Sequence, residues 1–140
     1  MIYSVLDTDT LTAFLHGQED LVERVVAAVR AESLAITVIT VQEQIDGRYA
    51  FLRRARTDAQ LAYAYQNLTD AVRALSGLYI VTFSESAIRR YNALLAMKLN
   101  IGKMDLRIAA IALEENAVVI TRNLRDFGRM PGLTCENWAD

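Results

Sequence analysis

The sequence predicts an α/β domain of three layers, with helices covering both faces of a central parallel sheet. Two observations carry that expectation. Short β-prone apolar runs at residues 2–6, 35–38, 78–83 and 117–121 are separated by stretches whose apolar residues recur at helical spacing. Strands that alternate with helices pair in parallel, because each crossover needs a helix and the helices then cover the sheet. In addition, six Gly and one Pro among 140 residues leave little material for linkers, so residues 1–140 are expected to form one domain.

Taken in order, the first run ends at Asp7, and Thr10-Leu11-Thr12 opens a helical segment. Leu21, Val25, Val26 and Val29 then repeat on one helix face, and the second strand follows at residues 35–38. Thr40 with Glu43 three residues later has the form of a capping box, which predicts a helix start there and competes with any ligand role for Glu43. Leu61, Tyr65, Leu68, Val72 and Leu75 mark a long apolar stripe, read as one long helix or a bent helical hairpin arm. The third strand at residues 78–83 is followed by helical spacing through Ala87, Tyr91, Leu94, Leu95 and Leu99. Beyond Gly102, a helix over residues 104–115 turns Ile108, Ile111 and Ala112 inward and carries Asp105 in its first turn. The last strand, 117–121, leads into a polar turn at residues 122–126 and a short tail containing Pro131, Gly132 and Trp138.

Composition narrows the function classes. At 53% hydrophobic and 23% charged residues, the chain can build a core and is not a disordered polymer. The formal charge of -2 supplies no global basic field, although 13 of the 15 cations are Arg, so nucleic acid would need a local positive site. A lone cysteine, Cys135, excludes an intramolecular disulfide framework and a cysteine-clustered metal site. The acidic start MIYSVLDTDTL is unlike a secretory signal, and no window of ~18 apolar residues follows. A cytoplasmic protein with no membrane segment is expected.

The chemistry rests on acids far apart in the chain. Asp7 ends the first strand, Asp105 begins a late helix, Asp126 follows the last core strand, and Glu43 stands near its own helix start. Ligand sites of open parallel sheets form beyond the strand carboxyl ends, where these residues would converge. Such a cluster suits Mg²⁺ or Mn²⁺, since hard divalent ions prefer oxygen and offset the repulsion between carboxylates. Metal-assisted hydrolysis of a phosphodiester follows as the expected reaction, with no covalent protein nucleophile.

With these residues in view, the chain resembles the PIN-domain family, particularly the VapC-like toxin ribonucleases of toxin-antitoxin pairs. The likeness spans nearly the whole chain. It is carried by Val5-Leu6-Asp7-Thr8-Asp9, by Ile39-Thr40-Val41-Gln42-Glu43 with Gly47 downstream, by Asp105 before Ile108-Ala109-Ala110, and by residues 119–127. The resemblance implies a PIN-like α/β/α fold and Mg²⁺-dependent RNA cleavage, with Mn²⁺ as a substitute. It matches Asp7, Glu43 and Asp105 to the principal acidic positions and offers Asp126 or Asn123 as the further site residue. Asn123 stands where the wider family often has an acid, Gln44 where an apolar residue often follows the motif Glu, and Asp9 where related toxins often carry Asn. Asp9 either supplements the metal site in an auxiliary role or hydrogen-bonds the strand-to-helix turn. The family further implies a cognate antitoxin and commonly a homodimer paired through apolar helical surfaces.

Other residues read more plainly. The cluster Arg48, Arg53, Arg54 and Arg56 suits RNA phosphate, an acidic antitoxin segment or a solvated helix face. Thr8, Thr121, Arg122 and Lys103 stay outside the primary ligand set, and His16, Cys135 and Trp138 are assigned to surface or packing. Asp7-Thr8-Asp9-Thr10-Leu11 lacks the final threonine of the DxDxT phosphatase pattern. A receiver-like domain would need an acid at the third strand end and a lysine after the last core strand. The alternative reading is a catalytically degenerate PIN-like module that keeps only its protein interface.

Overall fold

A computed structural model describes residues 3–139, so Ile2 of the expected first strand lies outside the described residues. Five parallel strands form one sheet in the order β3-β2-β1-β4-β5. Along the chain, β1 (Ser4–Leu6) leads into α1 (Thr8–Leu15) and α2 (Glu19–Arg30), then β2 (Leu34–Thr37). The helices α3 (Val38–Arg53) and α4 (Asp58–Ser76) precede β3 (Tyr79–Val81). Next come α5 (Glu85–Ala96), α6 (Lys103–Glu114), β4 (Val118–Ile120), α7 (Leu124–Phe127) and β5 (Thr134–Glu136). This is the expected three-layer α/β/α architecture.

Why such short strands are stable follows from their burial on both faces. In β1, Val5 joins the core beneath α5 and α6, with Ala35, Val81, Ile108, Ile111 and Val119. Its neighbour Leu6 points the other way, into the layer of Leu11, Leu21, Val25, Ile36 and Ile120, closed by Trp138. Successive strand side chains alternate in direction, so a run with apolar residues at every position reads as a strand covered on both sides. Val5, Leu6, Ile36, Val119 and Ile120 are fully buried, each worth ~1.5 to 3 kcal/mol relative to exposure.

Several boundaries differ from the sequence expectation. The second strand ends at Thr37, whose hydroxyl accepts a hydrogen bond from the Thr40 amide at 3.2 Å. The helix therefore starts at Val38, and the Thr40–Glu43 capping box is not formed. Thr37 wins because it is the last extended residue (φ -96, ψ 160), and its hydroxyl reaches the first turn. The apolar stripe at 61–75 lies on one long unbroken helix, α4, which is also one arm of a hairpin with α3 through a turn at residues 54–57, so one element meets both forms expected. The third strand is only three residues long, with Tyr79 69% exposed at the sheet edge. The supposed tail contains a fifth strand, β5, paired in parallel with β4 from Val118↔Thr134 to Ile120↔Glu136. Within the polar turn lies a single-turn helix, α7, anchored by the fully buried Phe127.

Candidate active site

The strand order places β1 between β2 and β4. From β1 the chain builds outward to β2 and β3 on one side, and returns to β4 and β5 on the other. Crossovers on either side of β1 leave a crevice at its carboxyl end, where α/β sheets bind ligands. Asp7 occupies that position. Its amide donates to the Ile120 carbonyl at 3.0 Å, tying it to the end of β4. Its Oδ1 accepts from the Thr10 amide at 2.9 Å and so caps α1, although the side chain is only 4% exposed. One carboxylate oxygen thus fixes the helix, and Oδ2 has no protein donor among the described residues.

Glu43 arrives on the second turn of α3. The Thr8 hydroxyl donates to Glu43 Oε1 at 2.6 Å and shares a 3.0 Å contact with the Thr40 hydroxyl. Freed from capping, Glu43 is held instead against the start of α1. Gln44, at the position where the family often has an apolar residue, is buried and donates from Nε2 to the Thr12 hydroxyl at 2.9 Å. That bond pins α3 to α1 beside the acids and gives the substitution a structural use.

Asp105 is the third residue of α6, where the helix dipole favours negative charge. Its carboxyl is nevertheless pushed up to about 6 from an ordinary 3.8, first by burial and then by the charges of Asp7, Glu43, Asp9 and Asp126, in that order. Four acids from three other segments of the chain, the start of α1, α3 and α7, are therefore close enough to act on Asp105. Among the described residues, however, no three His, Cys, Asp or Glu side chains are drawn into a closed metal cage. The carboxylates share a field without reaching a common coordination point.

Asn123 and Asp126 form their own unit after β4. Asn123 Oδ1 accepts from the Asp126 amide at 3.3 Å, and Asn123 Nδ2 donates to Asp126 Oδ2 at 2.9 Å. The Asn123 amide is in turn held by the Thr121 hydroxyl at 2.9 Å. Arg129 takes the other oxygen of Asp126 at 3.4 Å and also donates to the Leu99 carbonyl. Both Asp126 oxygens are thus engaged. Asp9, in the first turn of α1, is exposed and faces the turn that carries Asn123 across an open cleft. The Arg48 to Arg56 cluster belongs to the last turns of α3 and the hairpin turn. It is not among the charges acting on Asp105.

The donor chemistry fits a hard divalent cation. Every group acting on Asp105 is a carboxylate, and oxygen ligands suit Mg²⁺ or Mn²⁺. A cation there would relieve the repulsion that raises Asp105. Sequence reasoning left Thr8 outside the main set, yet it orients Glu43. Its only signal was a hydroxyl directly after a strand-end acid.

Comparison with known proteins agrees with this architecture. The sequence pattern of the family described as PIN domain matches residues 4–133. Ribonuclease VapC2 of Rickettsia felis is 44% identical over 68 residues, an alignment covering 46% of this chain and about half, 51%, of that relative. Ribonuclease VapC1 of Haemophilus influenzae strain R2866 is 29% identical with 99% of each chain covered. Among solved structures, DNA-bound VapBC from Salmonella typhimurium superposes with a TM-score of 0.80 at 26% identity, covering 99% of both chains. VapBC2 of Rickettsia felis, bound to a promoter DNA fragment, gives 0.77 at 28% identity with the same coverage. With the family pattern matched over residues 4–133 and a fold that superposes on those structures along nearly its full length, this chain belongs to the PIN domain family.

Proposed function

We propose that the chain is an endoribonuclease that hydrolyses RNA phosphodiester bonds with Mg²⁺, or Mn²⁺ in its place, and is the toxin of a toxin-antitoxin pair. The observation that carries the reading is the gathering of acids from separate elements around the carboxyl end of β1, where Asp7 caps α1, Thr8 holds Glu43, and burial and these neighbouring charges raise Asp105. Clustering of this kind opposes folding and serves no packing purpose. Asp7, Glu43 and Asp105 share a field but, among the described residues, are not drawn together into a cage, so they would hold the metal by closing in on it, with Asp9 and Asp126 adding negative field and Asn123 fixing Asp126. Bound there, the ion would activate water, polarise the phosphate and stabilise charge on the leaving oxygen. The protein's own contribution is orientation: Thr8 sets the direction of Glu43, and the cap bond of Asp7 fixes that carboxylate to α1.

The names of the relatives support the nuclease assignment, and the VapBC complexes among similar structures support an antitoxin partner. A homodimer is proposed through apolar helical surface. On α4, Leu61, Tyr65 and Val72 stand exposed on one side of the helix, whereas Tyr63 packs edge-on against Phe51 of α3.

Purified wild type, Asp7→Asn and Asp105→Asn should be compared on total cellular RNA with Mg²⁺, Mn²⁺ or a chelator. Discrete metal-dependent cuts that vanish in both folded variants are expected. Binding of RNA without cleavage by the wild type, together with tight capture of a neighbouring-gene product, would overturn the nuclease reading in favour of a degenerate interaction module.

A further inference from the structure

We propose that the cleft between α1 and the turn after β4 seats the nucleotide next to the scissile phosphate, with Arg122 gripping its phosphate and His16 stacking on its base. The inference rests on the nuclease reading above. The cleft has a volume of about 560 Å³ and is walled by Asp9, Thr12, Ala13, His16, Arg122 and Asn123. That size falls within the ~300 to 1,000 Å³ of small-ligand sites.

Asp9, Thr12, Ala13 and His16 form one face of α1, since residues three, four and seven apart share a side. At a rise of ~1.5 Å per residue, His16 lies about 10 Å along the helix from Asp9. The cleft therefore begins at the acid cluster, where Asp9 and Asn123 stand, and extends away from it. A strand whose phosphate is positioned by the acids would lay its neighbouring nucleotide here. The walls bring a carboxylate and an amide together with a guanidinium and, at the far end of α1, an imidazole.

Arg122 is exposed, and among the described residues it has neither an ion-pair partner nor a side-chain hydrogen bond. Arg129, seven residues on, is by contrast committed to Asp126 and the Leu99 carbonyl. Arg122 is also held close to the site by its neighbours: Thr121 is fully buried at the end of β4, and Asn123 caps α7. A planar fork of donors on a fixed backbone suits phosphate recognition. His16 is exposed at the end of α1 and offers a flat ring to a base, the usual way single-stranded RNA is held. The chain's overall charge of -2 makes such a local cation necessary for RNA.

The test uses an RNA oligonucleotide carrying a site that the wild type cuts in total RNA. Cleavage is followed in Mg²⁺, and binding by fluorescence anisotropy with Ca²⁺ in place of Mg²⁺. Arg122→Ala is expected to weaken binding and raise KM about tenfold, the size of one charged hydrogen-bonded contact, with kcat within about twofold. The slope of log affinity against log salt should become shallower by ~0.7, the signature of one lost phosphate contact on a single strand. Arg122→Lys should recover the salt slope. His16→Ala should cost about fivefold or more in affinity and His16→Phe should restore it, as stacking requires. Arg73→Ala, an exposed charge on the last turn of α4, should change nothing. Unchanged affinity and salt slope in Arg122→Ala, with cleavage intact, would overturn this subsite alone. Failure of the wild type to cut any RNA would overturn it together with the nuclease reading.

Discussion

Asp105→Asn removes a charge that the fold holds against four others, and its effect on stability can be worked from the site. The folded carboxyl is pushed up to about 6, whereas its ordinary value is 3.8. Because the folded value is the higher one, the folded state prefers the neutral acid. Stability is then fully present below about pH 3.8 and is lost as pH rises through about 6. At 1.36 kcal/mol for each tenfold, that gap is ~3 kcal/mol at neutral pH. The side chain is only half-buried, and solvent screening reduces the usable figure to ~1 to 1.5 kcal/mol. Asp105→Asn should therefore raise the neutral-pH melting temperature by roughly 3 to 6 °C in chelator. The gain should shrink as pH falls from 7.5 to 4, because the wild-type acid becomes neutral in the fold. Thermal unfolding of both proteins across that range gives the measurement. A variant no more stable than wild type at pH 7.5, or a gain independent of pH, would refute the argument that the acids repel one another there.

Other changes separate structural from chemical roles. Thr8→Val removes the 2.6 Å bond to Glu43 and the contact with Thr40. Mn²⁺ affinity by calorimetry should fall about 10- to 100-fold, while the melting temperature drops only a few degrees. Thr37→Ala deletes the cap of α3 and should cost ~1 kcal/mol in urea unfolding, whereas Thr40→Ala leaves that cap intact. Asp7→Asn keeps the cap on α1, since Asn caps as well as Asp. Asp7→Ala should be ~1 kcal/mol less stable than Asp7→Asn, with cleavage absent in both.

What could be read from the sequence depended on whether a residue's partner was near in the chain or its environment was uniform. The runs around Val5, Ile36 and Val119 were legible because strands buried on both faces need apolar residues at every position. Asp7 and Asp105 stood out as acids at element ends. The edge strand β5, Thr-Cys-Glu, was not legible, since its flanks are exposed and only pairing with β4 makes it a strand. The Thr40–Glu43 spacing fitted a local rule, and the rule failed because Thr37 ended the strand one turn earlier. The Thr8–Glu43 bond joins residues 35 apart in sequence, so no local pattern could announce it.

The misread cap bears directly on function. Had Glu43 closed a capping box, its carboxylate would have been spent on a backbone amide at the start of α3. Because Thr37 performs that task, Glu43 is left for the cluster, and Thr8 draws it toward α1. Asp7 solves the same conflict differently, giving Oδ1 to the Thr10 amide while keeping Oδ2 available. Asp126 does not solve it, since Asn123 and Arg129 occupy both its oxygens. The division of labour thus separates Asp7 and Glu43, which can still offer an oxygen to a cation, from Asp126, whose contribution at Asp105 is its charge. A cation entering the crevice would meet Asp105 as the acid with the most to gain, because it is the one raised by all the others.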